Sequence, residues 1–68
     1  MLRLGALERL TEREHAIMDL VIAGHANKEI AARLAISQRT VENHRAAVMT
    51  KTGAKSLPDL VRLVIAAT

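Results

Sequence analysis

Three residues, Ala35-Ile36-Ser37, separate two stretches that both read as helix, and that brevity constrains the chain more than any other feature. So short a connection forces two helices to meet at a sharp angle, the geometry of a helix-turn-helix. Asn27 is expected to cap the helix before the turn, Lys28 to Leu34, with Ile30, Ala31 and Leu34 on one face. Ser37 is expected to cap the helix after it, about residues 37–52, with Val41, Val48 and Thr52 on the apolar side and Gly53 closing it. Ala31 is small where the two axes must approach. Ile36 can plug the space between them, and Val41 faces it from the far side.

Two further helices complete the pattern. Thr11-Glu12-Arg13-Glu14 reads as a capping box, followed at helical spacing by Ala16, Ile17, Leu20 and Val21, with Gly24 as the left-handed stop after Ala23. Ser56 is expected to cap the last helix, with Pro58 and Asp59 in its first turn and Leu57, Leu60, Val61 and Val64 as its core stripe. No segment alternates as a strand would. The fold class is therefore all-α, a four-helix bundle containing a helix-turn-helix without a wing. It occupies residues 7–68, and residues 1–6, with no cap and little pattern, read as a linker remnant or frayed tail.

The 68 residues allow one domain, which buries only about 60% of the surface its unfolded chain exposes. Phe, Tyr and Trp are absent, so no aromatic platform exists for stacking unpaired bases, as many single-stranded nucleic-acid binders require. Without cysteine there is no disulfide, thiolate metal site or thiol nucleophile. The sequence calls for no cofactor and no metal. Apolar runs are too short to span a membrane, and no signal-peptide core leads the chain, so a cytoplasmic location is the simplest reading.

Charge is distributed unevenly. Arg3, Arg9 and Arg13 are outnumbered by Glu8, Glu12, Glu14 and Asp19 before residue 27. From there to residue 55, Lys28, Arg33, Arg39, Arg45, Lys51 and Lys55 face only Glu29 and Glu42. The helix-turn-helix is thus the basic part of the chain, as a phosphate-binding surface requires.

The side of the third helix opposite Val41 and Val48 carries Arg39, Glu42, Asn43, Ala46 and Thr50, related by steps of three and four. A guanidinium, a carboxylate, an amide and a methyl are groups that can read guanine, cytosine, adenine and the thymine methyl. Arg39, Glu42, Asn43 and Ala46 are the expected base-reading residues of a sequence-specific double-stranded DNA binder. Phosphate contacts are expected around them from Lys28, Ser37, Gln38, Thr40, His44, Arg45 and Lys51, assisted by the amides at two helix N-termini. For His44 the competing role is packing and a hydrogen bond that orients the helix.

The segments Leu10–Glu14, Asn27–Ala31 and Ile36–Ala46 resemble the DNA-binding domain of LuxR/FixJ-type transcription regulators, and Ala54–Arg62 leans toward the FixJ-like response-regulator branch. The resemblance covers about residues 8–67. It implies a bacterial regulator whose third helix enters the major groove and whose fourth helps two copies pair on DNA. Arg62, Leu63 and Ala66, outside the expected core stripe, are the dimer candidates. It also implies an upstream receiver or ligand-sensing domain, with Met1 starting a shortened piece, and RNA polymerase as a further partner. Many members carry Gly where this chain has Ala35, and a left-handed backbone there would cost Ala ~1–2 kcal/mol.

Other readings are weaker. His15, His25 and His44 lie on separate elements without metal-ligand or acid–base spacing. Met18 and Met49 fit core filling. No nucleophile, base and stabiliser converge, so an enzyme is not expected. A promoter-reading sigma-factor domain and a helical module binding an acidic protein remain as alternatives.

Overall fold

The computed structural model describes residue 5 and residues 7–67. The ordered elements are α1 (Glu12–Ile22), α2 (Asn27–Leu34), α3 (Gln38–Thr52) and α4 (Leu57–Ala67), with no strand among the described residues. Residues 5, 7 and 8 are also helical, and residue 5 falls inside the stretch expected as tail. The rest of that stretch lies outside the described residues.

The helix starts are local chemistry. At α1 both halves of the capping box form: Glu14 N donates to Thr11 Oγ1 at 3.1 Å, and Thr11 N donates to Glu14 Oε1 at 2.9 Å. At α3 the Ser37 hydroxyl accepts from Thr40 N at 3.0 Å. At α4 the Ser56 hydroxyl accepts from Asp59 N at 3.2 Å, while Asp59 Oδ2 takes the Lys55 amide at 2.9 Å. The start of α2 differs from expectation. Its cap position is Ala26, without a side-chain hydrogen bond, and Asn27 is the first helical residue. The Asn27 side-chain amide is occupied elsewhere, by Arg45.

Helix ends close the turns. At both Gly24 and Ala35 the backbone is left-handed, and each is bracketed by a crossed pair of hydrogen bonds. His25 N reaches Leu20 O at 3.1 Å and Gly24 N reaches Val21 O at 3.0 Å; Ile36 N reaches Ala31 O at 3.0 Å and Ala35 N reaches Ala32 O at 3.4 Å. This is the Schellman closure. Ala35 adopts φ 56°, ψ 44°, the conformation that is costly for a residue with a Cβ.

Two apolar clusters share α1 and α3. One joins Ile17 and Val21 of α1, Ile30 and Ala31 of α2 and Val41 of α3, with Ile36 of the turn packed against it. The other joins Met18, Val48, Ala54 and Leu60, covered in part by Leu63, Val64 and Met49. Val41 and Val48 thus anchor α3 in both clusters, so the orientation of α3 is set along its length. Thr52, also buried, satisfies its hydroxyl by donating to Val48 O at 2.7 Å.

The stripe expected on α4 requires correction. Leu60 is buried and Val61 and Val64 are half-buried, but Leu57 is 42% exposed. Leu57 opens the helix and lines a small cavity with Ile17, Met18 and Leu60 without being covered. Leu63, expected outside the core, instead packs half-buried on the second cluster. Ile65 is the large apolar residue left outward, at 68% exposure.

Candidate nucleic-acid interface

The site begins with what α3 cannot expose. Val41, Val48 and Thr52 are buried, which turns the opposite side of a straight helix to solvent. Arg39, Glu42, Asn43, Ala46 and Thr50 are all exposed there. Structure and period therefore agree on which side chains form the outer row. A continuous outer row of this kind, on a helix of 15 residues held at both ends, can be presented to a groove as a unit.

Around the row, Lys28 and Gln38 are exposed, while Thr40 and His44 are half-buried. Ser37 and Thr40 hydroxyls lie 2.9 Å apart. Lys28 stands in the first turn of α2, whose leading amides carry no side-chain cap. Glu29, in the same turn, pairs with His25, whose Nδ1 lies 2.8 Å from Glu29 Oε1. The His25 hydrogen bond, with the His25 and Arg33 charges and the Ala26 amide, holds the Glu29 carboxyl below the usual carboxylate range, against the opposing effect of burial. His15 similarly sits 3.3 Å from Asp19 on α1. Each of these histidines has an acidic neighbour one helical turn away.

Arg45 and Lys51 are placed differently from the outer row. Arg45 is half-buried and donates from Nη1 to Asn27 Oδ1 at 2.6 Å, tying α3 to the start of α2. Lys51 donates from Nζ to Glu14 Oε1 at 2.7 Å, tying α3 to the start of α1. Glu14 itself is buried, and the Lys51 hydrogen bond first, then the Thr11 amide, hold its carboxyl low against desolvation. Sequence reasoning missed both ties, though a signal existed. Glu14 precedes Ile17 and Met18 by three and four residues, and Arg45 lies four after Val41 and three before Val48. A charged group on an apolar stripe needs a partner when buried.

Of the dimer candidates, Arg62 and Ala66 are exposed on α4, whereas Leu63 is engaged with the domain's own core.

The sequence that builds this helix-turn-helix has counterparts among known proteins. Residues 8–64 match the model of the family described as bacterial regulatory proteins, luxR family. The chain belongs to that family. It is 57% identical over 60 residues to the transcriptional regulatory protein FixJ of Rhizobium meliloti, covering 88% of this chain and 29% of that protein. It is similar at 47% over 62 residues to the transcriptional regulatory protein TdiR of Thauera aromatica, covering 91% and 27%. The oxygen regulatory protein NreC of Staphylococcus aureus is 46% identical over 56 residues, covering 82% and 26%. No solved structure gives a significant match. The chain thus spans little more than a quarter of the length of these relatives. It is an all-α, DNA-binding domain of the luxR family of transcription regulators. Among the described residues no helix is long and apolar enough to cross a membrane.

Proposed function

We propose that this domain binds double-stranded DNA sequence-specifically by laying α3 in the major groove, with Arg39, Glu42, Asn43 and Ala46 reading base edges. The observation that carries the reading is the outer row of α3. Four chemically different, exposed groups share one side of a helix whose other side is anchored in two clusters. Lys28 and the first-turn amides of α2, with Ser37, Gln38 and Thr40 at the start of α3, hold the flanking phosphates. His44 lies beside them, half-buried, as an additional phosphate neighbour. Two copies pair on DNA through the exposed side of α4, with Arg62 and Ala66 at the contact and half-sites set by two-fold symmetry. The whole regulator acts in the cytoplasm without enzymatic activity, joins this domain to an upstream receiver or ligand-sensing domain, and works on RNA polymerase.

The test is a pair of substitutions read on DNA. Asn43→Ala is expected to relax preference at one base position and to cost about 1–3 kcal/mol on the selected site. Lys28→Ala is expected to weaken binding to every duplex alike and to flatten the logarithmic salt dependence by about one unit. Unchanged binding in both variants overturns the docking.

A further inference from the structure

The Arg45–Asn27 contact stands apart from the rest of the basic surface. Lys28, Arg33 and Arg39 are exposed, while Arg45 is half-buried at the edge of the apolar side of α3. Its guanidinium spans 18 positions of sequence to a neutral acceptor, Asn27 Oδ1, at 2.6 Å. Asn27 in turn is not used as the cap of α2, leaving that position to Ala26, which has no polar side chain to fill it. The start of α2 thus forgoes a stabilising cap, and the Asn27 amide is directed across to α3 instead.

We propose that Asn27 and Arg45 form a positioning pair that sets the angle at which α3 meets DNA, and that Arg45 acts on base discrimination through this pair rather than through a phosphate. The inference rests on the docking proposed above. Geometry supplies the reason. The turn between α2 and α3 joins only the end of one helix to the start of the other, so a second contact away from the turn adds control over the angle between them. The Asn27–Arg45 bond crosses from the first turn of α2 to the middle of α3, which is where a small rotation would be resisted with most leverage. Lys51 with Glu14 provides the corresponding tie from α3 to α1. A reading row displaced by about an ångström loses bidentate base contacts, whose geometry is strict, before it loses phosphate contacts, which tolerate movement.

A phosphate contact and a positioning pair make opposite predictions. The 68-residue chain is titrated against the duplex it selects from a random pool and against an arbitrary duplex, each at several salt concentrations. Asn27→Ala and Arg45→Gln are each expected to lower the ratio of selected to arbitrary affinity roughly tenfold, the loss of one good base contact. Both are expected to leave the salt slope on arbitrary duplex unchanged, and the double variant to be no worse than either single one. Asn27→Asp keeps an acceptor at the same atom; its added charge weakens binding to all DNA, but the ratio is expected to hold. Circular dichroism confirms that each variant compared is folded, and if Arg45→Gln is not, the two Asn27 variants decide alone. A salt slope lowered by about one unit in Arg45→Gln makes Arg45 a phosphate ligand and overturns the pair. So does full discrimination in Asn27→Ala. If the unaltered chain selects no sequence at all, the docking falls, and the pair falls with it; if it selects one and Asn27→Ala retains it, only the pair is lost.

Discussion

The two turns that frame α2 are built on one hydrogen-bond plan and finished with different residues. Before α2 the left-handed position is Gly24, at φ 98°, and a Cβ there would meet open space. After α2 it is Ala35, at φ 56°. The crossed hydrogen bonds are alike, so they do not explain why one turn tolerates a side chain. The explanation lies in the residues next along the chain. His25 comes after Gly24, and its ring turns to Glu29 at the surface. Ile36 comes after Ala35 and packs against the cluster of Ile17, Ile30 and Val41, and Ser37 then caps α3. A strained residue persists where packing and capping over-determine the backbone on both sides. The turn that leads into α3 is therefore the strained but better-anchored one.

The largest effect should come from removing that anchor. Ile30 is fully buried where α1, α2 and α3 converge, and Ile30→Ala is expected to cost about 2–5 kcal/mol. A domain of this size commonly has only about 3–5 kcal/mol in all. Thermal unfolding should show the variant largely unfolded at physiological temperature; a Tm near that of the unaltered chain would remove the packing explanation for Ala35.

The next test exchanges the two turns. Gly24→Ala is expected to destabilise by about 1 kcal/mol net, the strain of a left-handed Cβ partly offset by the stiffer unfolded chain. Ala35→Gly relieves similar strain but frees the unfolded chain, a loss of about 0.5–1 kcal/mol, so the net should be a stabilisation of up to about 1 kcal/mol. Denaturant titration of both variants reads the contrast. If Ala35→Gly destabilises more than Gly24→Ala, the difference between the turns is the reverse of that argued. Ser37→Ala should cost about 1 kcal/mol by removing the hydroxyl that receives Thr40 N.

These same turns show how much of the fold is legible in the sequence. Capping boxes and left-handed stops act within four residues, so Thr11, Gly24, Ser37, Gly53 and Ser56 can be placed from the sequence, and their helices with them. The need for a left-handed Ala35 is visible as a departure from the family pattern. The role of Asn27 is not, because an Asn before a helix reads as a cap and its actual partner lies 18 positions away. The stripe of α4 is legible in its middle and not at its edges. Leu60, Val61 and Val64 sit inward as their spacing requires, and only the ends of the stripe differ: Leu57 opens the helix and is left exposed, and Leu63 packs half-buried beside the stripe. On α3 only Val41, Val48 and Thr52 mark the buried side, and their common face is enough to draw the outer row without the fold. What that row would contact is not encoded in its spacing.

The smallest effect separates the turns by pH. Only the first is bridged by an ionisable pair, His25 with Glu29, whereas the second is closed by the Ser37 and Thr40 hydroxyls, which do not titrate in this range. Because the folded state holds the Glu29 carboxyl low, chiefly through the His25 hydrogen bond, its contribution is present above the ordinary carboxylate pKa. That contribution fades as pH falls through the lowered value. The Glu29 side chain is 51% exposed, so the contribution is small and shrinks further with salt. Comparing Glu29→Gln with the unaltered chain should therefore give a small Tm difference near neutral pH that closes in acid, while the difference caused by Ser37→Ala stays constant. A Glu29→Gln difference that persisted below the carboxylate range would mean that the first turn is held by shape rather than charge, and that the two turns are more alike than their residues suggest.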